Sequence, residues 1–218
     1  MTLLRMISIQ SGEILVDGVD LNRLSQDLLR ERAFIAVSQD ALLLPNETLR
    51  FNLDPDGWAS DETLVQAMGA AGLWQHIRGD HSNGYSAEEY CEHPVLDRKL
   101  SSFQAFSAGQ CQLFALTRAV VRADISRAKG VLPIILLDEA TSALDSAVEA
   151  TVHRIIDEEF TEKGHTVIMV SHRVGGLFRT PKPGRDVVVW MRDGGVEEVV
   201  RDPVYGLDSS GSNGSGLV

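Results

Sequence analysis

The chain has 218 residues and a formal net charge of −11, from 31 acids against 20 Lys plus Arg. That length suits one domain with or without a tail, and the acidic balance offers no field for a polyanion, which excludes nucleic acid as a partner. Two cysteines, Cys91 and Cys111, are too few for a disulfide framework. The longest apolar run, VLPIILL, is far short of the roughly 20 residues that span a bilayer, and no cleavable signal opens the chain, so a reducing, cytosolic setting is expected.

In chain order, GEILVDGVDL has strand composition closed by Asp17-Gly18, and LSQDLLRERAFIAVSQ reads as a short helix opened by Ser25, then a strand ending near Gln39. After LLLPNETLRFNLDP, Ser60 caps a helix with Leu64, Ala67, Met68 and Ala71 on one face, closed by Gly72. Residues 79 to 95 are polar and aperiodic and read as a surface loop. The next helix opens on a capping-box pattern, Ser107-Ala108-Gly109-Gln110, and continues with Leu113, Leu116 and Val120 at helical spacing.

VLPIILLD, SAVEATVHRIIDEEF and HTVIMVS then alternate strand, helix and strand. The helix carries Val148, Val152, Ile155, Ile156 and Phe160 on one stripe behind a second capping box, Ser146 with Glu149. Apolar strands joined in this way suggest a parallel sheet covered on both faces. DVVVWM and VEEVV read as a hairpin around Asp193-Gly194-Gly195, and GLDSSGSNGSGLV as a flexible tail.

Chemistry collects at the ends of these elements. Asp138 and Glu139 stand where an apolar strand meets its loop, the edge at which open α/β sheets bind ligands. Neighbouring strand residues point to opposite sides, so one acid can reach a Mg²⁺ shell while the next faces a water; a solvated acidic pair is the plain alternative. The helix start at Ser107 offers unpaired N–H groups, and Gly109 lets a phosphate approach the backbone, although the same pattern also suits an ordinary cap. His172 and Gln39 follow strands at the same edge, able to meet a phosphate oxygen and a metal-bound water, or simply to be solvated. A glycine-rich phosphate loop of the form G-x-x-x-x-G-K-[ST] is not among these features, because no Gly-Lys dipeptide occurs in the sequence.

The joint order Gln39, FSAGQ, IILLDE, SALD, His172 resembles the ATP-binding cassette (ABC) ATPase domain over roughly residues 7 to 205. It matches, in turn, that family's Q-loop, signature motif, Walker B strand with catalytic glutamate, D-loop and switch histidine. TLRFNLDP and a signature without a double glycine look like the second nucleotide-binding domain of C-subfamily (multidrug-resistance-associated) transporters. The resemblance implies a P-loop NTPase-like α/β fold with a mainly parallel sheet and a small helical subdomain over about residues 40–120, followed by a tail at 206–218. It also implies ATP and Mg²⁺ as cofactors, a second nucleotide-binding domain as a head-to-tail partner, and transmembrane domains that hold the chain at the cytoplasmic face of a membrane.

By the same resemblance Asp138 positions Mg²⁺, Glu139 polarises the lytic water, Gln39 senses the metal, and His172 contacts the γ-phosphate. Ser107, Ala108, Gly109 and Gln110, with Asp145, serve the partner's nucleotide. MTLLRMISIQSGEILVDG looks like the end of the helix that follows the phosphate loop, so the loop is expected just upstream of Met1 and the fold is expected to be N-terminally incomplete. If that loop makes about four charge-assisted hydrogen bonds, its absence costs about 6 kcal/mol, on the order of 10⁴ in affinity. Two departures from the family pattern are Ala108, where glycine or a variable residue is usual, and Cys111, where a basic or amide residue is common.

Overall fold

The computed structural model describes residues 2–38, 41–78, 94–140, 144–171, 182 and 184–201. The predicted loop falls largely on residues 79–93, and Gln39, His172 and the tail after Arg201 likewise lie outside the described residues. The chain divides into two compact units, Met1–Val170 and Ser171–Val218.

The first unit opens with β1 (Leu15–Val16) and β2 (Val19–Asp20), an antiparallel pair. Asp17 and Gly18 both have positive φ, 50° and 76°, which is the two-residue turn that Asp-Gly favours because its twist matches that of the strands. GEILVDGVDL is thus a small hairpin and not a single strand. The expected helix end at the start of the chain is a turn instead, closed by one bond from Arg5 N to Thr2 O (2.9 Å). A single closed turn fixes several dihedrals for one hydrogen bond and does not sustain a helix.

Ser25 caps α1 (Gln26–Leu28) through its hydroxyl and Leu28 N (3.2 Å), and the helix loosens into a π turn over Leu29–Ala33 before β3 (Phe34–Val37). Then come α2 (Leu49–Leu53), α3 (Asp61–Ala70), α4 (Leu73–Arg78) and the long α5 (Ala108–Ala128). Ser60 caps α3, which buries Leu64, Val65, Ala67 and Met68. The Arg50 guanidinium grips the Asp61 carboxylate and donates to Asp97 Oδ1 (3.0 Å), tying α2, the start of α3 and the 94–99 segment together. These paired carboxylates, Asp61 first, hold Arg50 above its ordinary pKa.

The sheet is β4 (Ile134–Asp138) flanked by β3 and β5 (Val167–Val170), all parallel, in the order β3-β4-β5. Between β4 and β5 runs α6 (Ser146–Ile155), extended by a π turn over Ile156–Thr161. Ile35, Val37, Ile135 and Leu137 face the main core with Phe114, Leu116 and Val120 of α5 and Val152, Ile155 and Phe160 of the α6 segment. The alternate residues Phe34, Ile134 and Leu136 meet a second, smaller cluster with Leu21, Leu29, Leu3 and Ile14. Coverage on both faces, as the sequence suggested, therefore holds for β3 and β4. It fails at β5, where Ile168 is 40% and Val170 53% exposed, because no described element lies over that part of the second face.

The second unit contains the predicted hairpin, β6 (Val188–Arg192) and β7 (Gly195–Val200), turning on Asp193-Gly194 with both φ positive. Gly195 belongs to β7 and not to the turn. Among the described residues no helix is long and apolar enough to cross a membrane.

Candidate functional site

The parallel sheet brings three strand ends to one edge. Val37 pairs with Leu137 and Asp138 with Val170, so β3 and β5 terminate beside the carboxylates, each two residues before Gln39 or His172 in sequence. Asp138 is exposed at the tip of β4, and Glu139, half-buried, donates its backbone N–H to Val170 O (3.0 Å).

Glu139 has φ 50°. A non-glycine residue in that left-handed region costs about 1–2 kcal/mol. Asp17 and Asp193 share the angle within Asp-Gly turns, where a short acid is tolerated, but glutamate lacks that local compensation. Such strain persists where the surroundings fix it, and it concentrates at functional positions. The turn takes Glu139 out of the strand's alternation directly after Asp138, giving the two carboxylates different exposures.

Among the described residues no group of three or more His, Cys, Asp or Glu side chains converges on a metal position. Mg²⁺ does not need one, since it keeps several waters and takes one or two carboxylates plus substrate phosphates. A single exposed carboxylate at a sheet edge, Asp138, fits that requirement.

The second predicted cluster sits at the start of α5. Ser107 adopts extended cap geometry; its Oγ accepts from Gln110 N (3.2 Å), and Gln110 Oε1 accepts from Ser107 N (2.9 Å). This reciprocal box uses the amides of residues 107 and 110, not those of Ala108 and Gly109, which a helix N-terminus presents to an anion. Ser107 and Ala108 are exposed.

Gly109 also has a packing role beside the one the sequence offered. A Cβ there would lie 3.1 Å from Val148 Cγ2, a tight contact that would press on that side chain, so glycine also eases the approach of α5 to α6. The same contact sets the first turn of α5 beside that of α6. α6 is capped by Asp145, whose Oδ1 accepts from Ala147 N (3.0 Å) and Val148 N (2.9 Å). The Ser146–Glu149 box is thereby corrected: Asp145 takes the extended cap conformation and Ser146 is the first helical residue.

Two links escaped the sequence reading. Gln112, buried on α5, donates to Ser38 O (3.4 Å), anchoring the helix to the carbonyl just before Gln39. His76 on α4 meets Gln110 Nε2 at 3.1 Å through Nδ1. Neither pair is close in sequence, and neither Gln112 nor His76 stands in a motif.

Cys111 follows the turn, half-buried, with its Sγ 3.9 Å from Phe106 O. Burial pushes its thiol pKa up, leaving little thiolate at neutral pH. In a Cys91→Ser variant, Cys111 is expected to react with iodoacetamide at pH 7 several-fold more slowly than free cysteine; an equal rate would contradict this.

A groove of about 270 Å³ lies between the end of β3, the segment after α2, and α5, lined among others by Val37, Leu42, Asp54, Trp58 and Arg118. Leu42 and Trp58 on its rim are 71% and 64% exposed, and Lys129 Nζ stands 3.9 Å over the Trp58 ring.

The parallel α/β sheet with acids at its carboxyl edge, taken with the family match that follows, makes this a P-loop NTPase-type domain. The family model for ABC transporters matches residues 1–142, and the chain belongs to the ABC transporter family. It is 38% identical over 178 residues to ABC transporter FGM5 of Gibberella zeae, covering 79% of this chain and 11% of that protein. Identity to ABC multidrug transporter B of Aspergillus fumigatus is 32% over 212 residues, covering 97% and 12%. Identity to ATP-binding cassette sub-family C member 8 of Homo sapiens is 31% over 195 residues, covering 89% and 10%. The chain thus spans about a tenth of the length of these relatives.

Proposed function

We propose that these residues form the catalytic part of an ATP-binding and ATP-hydrolysing domain of an ABC exporter, similar to the second nucleotide-binding domain of a C-subfamily transporter. The phosphate loop is supplied from outside the 218 residues. The observation that carries the reading is the left-handed Glu139 directly after the exposed Asp138, at the tip of the central strand. Two adjacent carboxylates in different settings suit two tasks, metal ligand and base.

In this scheme Asp138 holds Mg²⁺, and Glu139 orients and deprotonates the attacking water. Gln39 and His172, each two residues on in sequence from a strand end, would contact the metal shell and the terminal phosphate. Ser107, Ala108, Gly109 and Gln110, with Asp145 beside them, face the nucleotide of a second, head-to-tail domain. Mg²⁺, when bound, neutralises charge on the transferred phosphoryl group.

The exposed Ile168 and Val170 on β5 support a further element packing over that face of the sheet. The apolar-rimmed groove beside β3 supports docking of a transmembrane partner's segment, in keeping with a chain held at the cytoplasmic face of a membrane. The names of the relatives, two transporters and an ATP-binding cassette sub-family C member, favour ATP-linked transport. Reading the transcript upstream of Met1 tests the proposal: an in-frame G-x-x-x-x-G-K-[ST] is expected, and an in-frame stop directly before Met1 would count against it.

The lack of any Gly-Lys dipeptide favours a second reading, a cassette remnant that supplies only its signature face to another subunit. Mixing the chain with an intact cassette and measuring ATP turnover decides it, since turnover no higher than that of the intact cassette alone would sink the idea.

A further inference from the structure

We propose that His76 is a positioning residue for the Ser107–Gln110 turn, acting through the side-chain amide of Gln110. The geometry leaves one consistent set of donors and acceptors. Gln110 Oε1 must accept from the Ser107 N–H (2.9 Å), which aims the amide NH₂ at His76 Nδ1, 3.1 Å away. Nδ1 therefore accepts, the proton sits on Nε2, and Nε2–H donates to Gln104 O at 3.3 Å. The ring is held from a third side by Phe106, 4.9 Å between centroids, which in turn packs edge-on against Phe114 of α5 at 5.7 Å.

An amide flipped about its axis would set NH₂ against the Ser107 N–H, two donors facing each other, and open the capping box. The acceptor on His76 removes that alternative. It ties α4, 34 positions away in sequence, to the turn whose two remaining amides and Ser107 hydroxyl are offered to an anion. The functional weight of this link rests on the reading of that turn as nucleotide-facing, but the link itself is a property of the free chain.

The test compares His76→Phe, which keeps the ring packing and removes the acceptor, with His76→Asn, whose Oδ1 stands where Nδ1 does. In the full chain without nucleotide, the Ser107 amide is expected to exchange its hydrogen about fivefold faster in His76→Phe, the factor worth one net hydrogen bond. The Ala119 amide in mid-α5 should be unchanged, and His76→Asn should restore slow exchange at Ser107. Equal exchange in His76→Phe and the parent, or no recovery in His76→Asn, would overturn the proposal. Should the Phe variant fail to fold, the ¹⁵N spectrum of the parent serves: the neutral ring must carry its proton on Nε2, and a neutral ring with the proton on Nδ1 would overturn it. Should the exchange pattern hold while the mixing assay shows no added turnover, the remnant reading fails and the role of His76 in the turn stands.

Discussion

Replacing Glu139 by glutamine, in a polypeptide that also carries the phosphate loop, is expected to lower ATP turnover by about 10²–10⁴-fold, the range for loss of a positioned general base. ATP affinity should change little, since glutamine keeps the size and polarity of the side chain and loses only its proton-accepting charge. The backbone supports this separation: the Glu139 N–H is already committed to Val170 O, and neither substitution nor charge alters that bond. Glu139→Gly should leave stability within about 1 kcal/mol of the parent, because relief of left-handed strain offsets the added chain entropy, while turnover is abolished. A stable but inactive Gly variant would identify Glu139 as a residue kept at a conformational cost for its chemistry. Full turnover in the Gln variant would remove it from the mechanism.

Asn52→Leu is expected to destabilise the fold by about 2–4 kcal/mol, since it leaves Leu44 N and Arg118 Nη2 without their acceptor and each buried polar partner left unpaired costs about 1–3 kcal/mol. Asn52 is only 2% exposed and is the hub of the segment after β3. Its Oδ1 accepts from Leu44 N (2.8 Å) and Arg118 Nη2 (3.3 Å); its Nδ2 donates to Leu44 O and Thr48 O, both at 2.9 Å. The Arg118 guanidinium, bonded through Nε to Asn52 O, also lies over the Phe114 ring at 5.4 Å. Leucine matches the volume but accepts from neither Leu44 N nor Arg118 Nη2, whereas the Leu44 and Thr48 carbonyls keep the amides of Glu47 and residue 52, and Arg118 Nε keeps its backbone acceptor. The loss is a large share of the roughly 5–15 kcal/mol that stabilises a domain, and urea denaturation with an unchanged slope would measure it. A loss under about 1 kcal/mol would mean that water replaces the network.

Local chemistry made much of this legible beforehand. Ser25, Ser60 and Ser107 each precede an apolar period and each caps a helix, and the strands around Asp138 are apolar runs that pair in parallel. Where two good caps adjoin, as at Asp145-Ser146, composition does not choose; the carboxylate prevails here by accepting from two amides at once. Gly109 was open to two explanations because its neighbour Val148 arrives from another helix. The partnership of His76 with Gln110 carries no sequence signal, since it depends on how α4 packs against α5. The exposed face of β5 contradicts a pattern that reads as buried on both sides, because the pattern records apolar character and not which element covers it.

On the proposed reading these residues serve the metal, the water and the terminal phosphate, while the loop that cradles the phosphates is not among them. Calorimetric titration of the 218-residue chain with ATP and Mg²⁺ tests it directly. With about 6 kcal/mol of phosphate-loop contacts absent, binding should be no tighter than millimolar and indifferent to Glu139→Gln. Saturable binding at micromolar concentrations would contradict the account and show that another part of the chain cradles the nucleotide.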